Sequence, residues 1–289
     1  MSKLALLIGI NYIGQSKKLR GCINDVKHVR QMLIEHMGYK EKNIIMMTDD
    51  LDTNDENYPS ARKILSALRR IIVQMHHSRN KKNTSSSREQ LDSPNTKKEV
   101  WFHFSGHSVS IADKNGDERD GMDEAIVPVD YEKSGVIPDD FLHKYMRYIP
   151  EEVNFVSFFD SCHSGTILDL KYKHLPNAFN VIENENSGNS GNSGNSGKIM
   201  MFSGCRDNEK GIGFLENGKN WIGAMTRSLL DTLEKHHYEI SCRELLDEMQ
   251  HYMANNGFSQ RPQLSTNFLL RKYSIFCKRH SEKPFIRVK

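Results

Sequence analysis

Short apolar runs alternate with amphipathic segments along this chain. The apolar runs at residues 4–10 and 43–47 predict two β-strands. Between them, apolar residues from Val26 to Leu33 recur at the spacing of one helix face, and Gly38 is a suitable residue to end that helix. The first part of the chain therefore predicts a strand, a helix and a second strand.

The same alternation continues to the other end of the chain. A helix is predicted after Ser60, and the later elements are strands at 100–104, 153–159, 199–202 and 267–270 and helices at 221–236 and 241–255. The run at 153–159 is apolar on both faces, as is typical of a strand in the centre of a parallel sheet. Strands alternating with helices predict an α/β fold, with a mainly parallel six-stranded central sheet and helices on both faces.

Three segments interrupt this pattern. Residues 78–98 are polar and non-periodic, which predicts a flexible insertion. Residues 183–198 contain four consecutive Asn-Ser-Gly repeats and predict a flexible linker between a larger first part and a smaller second part. Residues 271–289 form a basic tail. We interpret 1–289 as a single domain that carries these three segments.

Composition and charge exclude several classes of protein. Hydrophobic residues make up 37% of the chain, which argues against disorder, and no apolar run approaches the roughly 18 residues of a membrane span. The five cysteines form no CxxC pair, which favours a reducing, cytoplasmic location over a disulfide framework. The net charge is +3, but the excess of basic residues lies in 78–98 and 271–289 and the rest is acidic. An acidic body favours cations or basic substrates as partners over nucleic acid or membrane.

The candidate chemistry follows the predicted strands. In open α/β sheets, sites form beyond the carboxyl ends of the strands. The residues that follow the first, third and fourth long strands include Cys22, Asp25, Ser105, His107, Ser108, Asp160, Cys162 and His163. A thiol, imidazoles and carboxylates are thus expected along one edge of the sheet.

This set of side chains suits nucleophilic catalysis. A thiol becomes a nucleophile as the thiolate, so Cys162 needs a base, and His107 follows the neighbouring buried strand. His163 is an alternative base, although adjacent side chains at a turn tend to diverge. The backbone N–H groups of Ser108 and Cys162 are the candidate donors to an oxyanion.

Several ordered segments resemble the metacaspase family in its type I, single-chain order. They are Ala5-Leu-Leu-Ile-Gly-Ile-Asn-Tyr12, Leu19-Arg-Gly-Cys-Ile-Asn-Asp25, Phe104-Ser-Gly-His107, Asp120-Gly-Met-Asp-Glu124, Pro128-Val-Asp130, Phe159-Asp-Ser-Cys-His-Ser-Gly165, Ser203-Gly204, Gly223-Ala-Met225 and Arg261-Pro-Gln-Leu264. The resemblance covers nearly the whole chain. It implies a caspase-like fold, a Cys–His dyad, cleavage after Arg or Lys, stimulation by calcium, self-processing and a monomer.

The resemblance also assigns residues. It makes Cys162 the nucleophile and His107 the base. It places Cys22, Asp25, Ser105 and Asp160 around the primary specificity pocket, where two carboxylates suit a guanidinium or ammonium group. The Ca²⁺ ligands it implies are Asp123, Asp139, Asp140 and Asp169. Structural alternatives remain open: Asp25 as a carboxylate at a helix N-terminus, Asp160 as a turn residue and the four aspartates as scattered surface groups.

A second calcium arrangement is also open. Asp113, Asn115, Asp117 and Glu124 occupy the first, third, fifth and twelfth positions of an EF-hand loop. Glu118 stands where that loop has glycine, and a strand rather than a helix precedes it, so an acidic surface loop is the favoured interpretation.

One departure from the family pattern affects the predicted function. Ser108 stands where the family usually has glycine, which would be strained if the backbone needed a positive φ. We predict a calcium-stimulated cysteine endopeptidase that cleaves protein or peptide substrates after Arg or Lys, with Lys171, Lys173 and Lys198 as candidate self-processing sites. The alternatives are a catalytically weak relative that acts as a binding or quality-control protein, and a calcium sensor.

Overall fold

The computed structural model describes residues 2–80, 98–113, 121–161, 167–174, 181–183, 197–204, 213–216, 220–270 and 275–277. These residues form fifteen strands: β1 (Lys3–Gly9), β2 (Ile44–Thr48), β3 (Lys98–Ser105), β4 (Ser108–Ala112), β5 (Met122–Ile126), β6 (Ile137–Pro138), β7 (Val153–Asp160), β8 (Tyr172–His174), β9 (Val181–Glu183), β10 (Lys198–Ser203), β11 (Gly213–Glu216), β12 (Asn220–Gly223), β13 (Ile240–Ser241), β14 (Gln263–Thr266) and β15 (Ile275–Cys277).

Six α-helices and one 3-10 turn accompany the strands in the described residues. They are α1 (Cys22–Glu35), the 3-10 turn Glu41–Asn43, α2 (Ala61–Asn80), α3 (Tyr131–Ser134), α4 (Asp139–Met146), α5 (Ala224–Lys235) and α6 (Cys242–Asn255). Within this described part of the chain, no helix is long and apolar enough to cross a membrane.

The main sheet has the strand order β2-β1-β3-β7-β10-β14-β8-β9. Its first five strands are parallel, and each of the last three runs antiparallel to its neighbour. The α/β fold with a mainly parallel sheet is therefore confirmed. The sheet has eight strands rather than six, because the three-residue strands β8 and β9 extend it beyond β14.

Helices cover both faces of the sheet, as predicted. Alternate residues of β1 contact opposite layers: Leu6 packs in the core beneath α2 and α4, and Leu7 packs in the core beneath α1, α5 and α6. A close approach between β1 and α1 requires Gly9, since a Cβ there would lie 2.3 Å from the carbonyl oxygen of Cys22. This contact brings the start of α1 against the carboxyl end of β1.

Some predicted boundaries were wrong. The last long strand is β14 rather than 267–270, and its four buried residues include a single aliphatic side chain, Leu264, so no apolar run marks it. Trp221 lies in β12, which pairs with β11, and α5 begins after it at Ala224. The small sheet of β4, β5 and β6 was not predicted.

The three segments that interrupt the pattern fall largely outside the described residues. The helix α2 runs to Asn80 and β3 begins at Lys98, so the predicted insertion is shorter than 78–98 at both ends. The linker's boundary residues Glu183, Gly197 and Lys198 are described, and 184–196 are not. Within the tail 271–289, Ile275–Cys277 form β15, which pairs with β13, and the other residues lie outside the description.

Candidate active site

The carboxyl ends of β1, β3 and β7 lie side by side in the sheet. Gly9 pairs with Ser105, and Ser105 pairs with Asp160, in the last register positions of these parallel strands. The predicted site residues that follow these strands are therefore neighbours in space, as the rule for open α/β sheets requires.

Asp25 lies in the first turns of α1 and is buried at this edge. The hydroxyl of Ser105 donates to its Oδ2 at 2.5 Å, and the backbone N–H of Gly223 donates to its Oδ1 at 2.8 Å. Asp25 thus joins three elements, α1, β3 and β12, through both oxygens of its carboxylate.

Asp160 ends β7 and is also buried. Its Oδ2 accepts two bonds from Thr226 in the first turn of α5, one from the backbone N–H at 2.8 Å and one from the hydroxyl at 2.7 Å. Gly223 is required beside it, because a Cβ at that position would lie within 2.1 Å of Asp160 Oδ2. The segment from Gly223 to Thr226 therefore holds both acidic side chains.

The pKa values of both carboxylates are raised, mainly by burial. Burial is the main cause of the raised pKa of Asp25, the nearby charge of Asp160 adds to it, and the bonds from Ser105 and Gly223 oppose it. Burial raises the pKa of Asp160 to about 6, against the lowering effect of both Thr226 bonds. A cationic group placed between them would favour the ionised form of both.

Cys22 completes the predicted pocket set. It is buried at the start of α1, and burial raises the pKa of its thiol, with a further contribution from the charge of Asp25. The structure thus brings together Cys22, Asp25, Ser105 and Asp160, and their role in substrate binding stays a prediction. The structural alternative for Asp25 was a carboxylate stabilised by the dipole of α1. Asp25 has further interactions, because Ser105 and Gly223 each donate a hydrogen bond to one of its carboxylate oxygens.

His107 lies in the turn between β3 and β4 with its imidazole oriented by the backbone. Its Nε2 lies 2.7 Å from the carbonyl oxygen of Lys17. A carbonyl oxygen accepts and cannot donate, so in the neutral ring this contact places the proton on Nε2 rather than on Nδ1. In this tautomer Nδ1 can act as a base.

Tyr12 contacts both the backbone and the ring of His107. This contact was not predicted from the sequence. The backbone N–H of His107 donates to the Tyr12 hydroxyl at 2.9 Å, and that hydroxyl donates to the carbonyl oxygen of Val127 at 2.7 Å. The two rings lie 4.7 Å apart. Asp49 in turn accepts from the backbone N–H groups of Asn11 and Ile13 at 2.8 Å each, on either side of Tyr12.

The structure resolves the question of Ser108. Among the described non-glycine residues, positive φ occurs at Tyr12, Asp169, His237 and Tyr238, and Ser108 is not one of them. It begins β4, where an extended backbone suits serine as well as glycine. Val127 N–H donates to His107 O at 3.0 Å, which makes Ser108 and Ile126 a non-hydrogen-bonded pair. The Ser108 N–H therefore points away from β5.

The predicted nucleophile Cys162, with its oxyanion N–H, and the alternative base His163 lie outside the described residues. Ser161, which precedes them, is buried beside the end of β7. The described part of the site thus contains the imidazole and the acidic pair, and the thiol is assigned by sequence alone.

The predicted calcium ligands lie around α4. Asp139 begins this helix and accepts from the backbone N–H groups of Glu124 and Asp140 at 2.7 Å each. Burial raises its pKa to about 7, with further contributions from the charges of Asp123 and Asp140, so three carboxylates are near one another. Asp169 follows Leu168, whose carbonyl oxygen lies 3.2 Å from Nδ1 of His143 in α4.

Oxygen donors of this kind suit calcium, but they do not converge on one point. In the described ranges, no group of three or more His, Cys, Asp or Glu side chains is arranged to hold a metal ion. Carboxylate oxygens are suitable ligands for Ca²⁺. To coordinate one ion together, these aspartate side chains would have to move closer to one another.

Two further predictions are partly described. Of the EF-hand alternative, Asp113 directly follows β4, Glu124 lies in the middle of β5, and 114–120 are outside the description. Among the self-processing candidates, Lys173 lies in β8 between β14 and β9, Lys198 begins β10, and Lys171 precedes β8. A strand that is paired on both sides is a poor protease substrate. Lys171, which lies outside β8, is therefore better placed for cleavage than Lys173.

Sequence reasoning also missed Gly223 and Thr226. Gly223 stands in one of the segments that carry the family resemblance, and Thr226 directly follows that segment. The family segment marks this region, but nothing in the sequence connects Gly223 to Asp25, 198 residues away, or Thr226 to Asp160, 66 residues away.

This chain is similar to known proteins along most of its length. The family model described as the caspase domain matches residues 2–274. Metacaspase-1 of Kluyveromyces lactis is 32% identical over 90% of this chain and 65% of its own length. Metacaspase-1 of Scheffersomyces stipitis is 32% identical over 91% of this chain and 70% of its own length. The chain thus spans about two thirds of the length of these relatives.

Two further proteins are similar to part of this chain or to its fold. Metacaspase-1B of Neurospora crassa is 41% identical over 58% of this chain and 35% of its own length. A crystal structure of a protein from Geobacter sulfurreducens superimposes with a TM-score of 0.58 over 95% of this chain and 99% of that one. At 19% identity, the latter likeness concerns the fold alone.

Proposed function

Since this chain belongs to the caspase-domain family and is a metacaspase, we propose that it is a cysteine endopeptidase that cleaves peptide bonds after Arg or Lys. The observation that carries the basic specificity is the buried pair of Asp25 and Asp160 beside the turn that carries His107. A pocket with two carboxylates attracts a guanidinium or ammonium group and repels an acidic side chain.

The chemical steps follow from the tautomer of His107. Its Nδ1 takes the proton of the Cys162 thiol, and the thiolate attacks the carbonyl carbon of the scissile bond, forming a C–S bond. His107 then gives the proton to the leaving nitrogen as the C–N bond breaks. Water hydrolyses the resulting acyl-enzyme to a carboxylic acid and restores the thiol. The Lys17 carbonyl, 2.7 Å from Nε2, keeps the ring in the orientation that this exchange needs.

The oxyanion of the tetrahedral intermediate needs hydrogen-bond donors. The Ser108 N–H is turned away from the β4–β5 pairing and is one candidate, and the Cys162 N–H is the other. Serine in place of the usual glycine does not prevent this role, because the donor is the backbone.

Calcium is proposed as the activating ion. Asp123, Asp139, Asp140 and Asp169 would hold it, and Ca²⁺ would relieve the mutual repulsion of the first three carboxylates. Asp169 follows Cys162 by seven residues, so an ion there would link α4 to the segment after the nucleophile. On the family resemblance we also propose self-processing, near Lys171, and a monomeric state. The pattern of five cysteines with no CxxC pair is the basis for proposing a cytoplasmic location.

Hydrolysis of fluorogenic peptides tests the proposed function. Peptides that end in Arg, Lys or Asp are compared with millimolar calcium and with a chelator, and Cys162→Ala serves as the inactive control. Calcium-dependent cleavage after Arg and Lys, absent in the variant, is the expected result. Folded protein that cleaves none of the peptides would favour the binding or quality-control alternative, and cleavage after Asp would contradict the assignment of the pocket.

A further inference from the structure

Thr226 connects the acidic pair to a histidine in the core of the sheet. Its hydroxyl lies 2.7 Å from Asp160 Oδ2 and 3.3 Å from Nε2 of His103, a residue of β3. Thr226 and His103 are both fully buried. We propose that Thr226 is a positioning residue that determines the preference for a basic substrate side chain by fixing the Asp160 carboxylate. The inference rests on the proposed peptidase function.

The two bonds from Thr226 orient the carboxylate. Both end on Oδ2, one from the N–H and one from the hydroxyl, so the carboxyl group is held at a single oxygen by two donors. Oδ1 is then the oxygen that can accept from a guanidinium or ammonium group of the substrate. The N–H donor comes from the first turn of α5, whose dipole also favours a negative charge there.

The contact with His103 indicates that the Thr226 hydroxyl donates its proton to Asp160. Burial lowers the pKa of His103 to about 3, so the ring is neutral and carries one N–H. The Thr226 hydroxyl has one proton, and its shorter contact is to Asp160, so Nε2 of His103 is the donor in the longer contact. The resulting chain runs from His103 N–H to Thr226 O–H to Oδ2 of Asp160, and donors at this end favour the ionised form of the carboxyl group.

Burial acts against the ionised form of Asp160. Asp25 and Cys22 on α1 are the titratable groups that face it across the pocket, and neither supplies a positive charge in the absence of substrate. His103 on β3 is neutral, and α5 faces Asp160 with Thr226. Among these described neighbours, the two Thr226 bonds are the contacts that lower the pKa of Asp160.

Substitutions at Thr226 separate positioning from folding. Thr226→Val removes the hydroxyl and keeps the shape and the backbone N–H, and Thr226→Ser keeps the hydroxyl. Thr232→Val on the same helix is the matched control, because Thr232 is also buried and lies outside the pocket. Each variant is assayed from pH 5 to 9 with peptides that end in arginine or in citrulline, its neutral near-isostere.

For Thr226→Val we expect the acid limb of the kcat/KM profile for the arginine peptide to move up by about one unit, since a hydrogen bond to a charged group is worth this much. The value of kcat/KM should therefore fall about tenfold at pH 5 and about twofold at pH 7. Citrulline peptides should change less than twofold. Thr226→Ser and Thr232→Val should both stay near the wild type. An unchanged acid limb in Thr226→Val, or an equal loss with both peptides, would overturn the inference.

A measurement without turnover keeps this result separate from the proposed function. The ionisation of Asp160 is followed by NMR in protein labelled with ¹³C at the aspartate carboxyls, with the signal assigned through Asp160→Asn. The midpoint should rise in Thr226→Val, or in Thr226→Ala if the valine variant does not fold. An inactive wild type would contradict the peptidase, whereas an unmoved midpoint would contradict the role of Thr226.

Discussion

The Tyr12 ring lies 4.7 Å from the imidazole of His107, and the Tyr12 hydroxyl accepts the His107 backbone N–H at 2.9 Å. The same hydroxyl donates to Val127 O at 2.7 Å, so it links the turn after β3 to the residue after β5. One fully buried phenol therefore sets both the backbone and the ring of the proposed base.

Tyr12→Phe tests this support by removing one oxygen atom. It takes away the acceptor of the His107 N–H and the donor to Val127, so we expect kcat to fall about fivefold to tenfold with KM nearly unchanged, from the usual net value of about 1 kcal/mol per hydrogen bond. Tyr39→Phe is the control, since Tyr39 is also buried and its hydroxyl donates to Glu99. A similar fall in kcat for both variants would show general destabilisation.

Gly223→Ala tests the close packing of β12 against Asp160. A Cβ would lie within 2.1 Å of Asp160 Oδ2, so the carboxylate or the strand must move. We expect cleavage after Arg to fall at least tenfold and the melting temperature to drop. The control Gly257→Ala places a side chain at φ 74° with open space around it, and should lower stability by about 1 kcal/mol without changing kcat/KM. Normal kinetics in Gly223→Ala would contradict this account.

The fold was predictable because its signals are local. Apolar runs mark β1, β3 and β7, and the helical period of Val26, Val29 and Met32 marks α1. The short strand β14 has no such signal. It is buried because it lies between β10 and β8, and its own residues are mostly polar.

The site could be predicted in part for the same reason. Strand ends indicated Ser105, His107 and Asp160, because the carboxyl ends of parallel strands share an edge. The supports Tyr12 and Thr226 act through contacts with residues 95 and 66 positions away, and residue type alone does not predict such contacts.

The raised pKa of Asp160 makes stability depend on pH. Burial raises it from 3.8 to about 6, so between these values the folded state holds a proton that the unfolded state has lost. Stability from this group is thus fully present below pH 3.8 and is lost as pH rises through 6. We expect Asp160→Asn to gain about 2 kcal/mol relative to the wild type between pH 4 and pH 7.

Urea unfolding at a series of pH values measures this difference. The exposed Asp50→Asn variant is the control, and its difference from the wild type should vary by less than about 0.5 kcal/mol over the same range. A flat difference for Asp160→Asn would show that the carboxyl is not buried as described.

Calcium binding should stabilise the protein independently of turnover. In the Cys162→Ala background, millimolar calcium is expected to raise the melting temperature, because a ligand of the folded state stabilises it by mass action. Asp140→Asn should raise the calcium concentration needed for the same increase in melting temperature at least tenfold. Asp50→Asn should leave this concentration unchanged. Magnesium serves as the comparison ion, since it demands a tighter octahedral site. An equal response in all three proteins would place the ion elsewhere.

Covalent labelling by a peptidyl chloromethyl ketone tests the central claim most directly. A reagent with arginine at its reactive end needs the acidic pocket, the base and the nucleophile together. With the calcium-loaded protein, we predict one adduct per chain at Cys162 by mass spectrometry, slower labelling in His107→Ala, and no labelling by the aspartate analogue. Equal labelling by the arginine and aspartate reagents, or an adduct at another cysteine, would contradict the account.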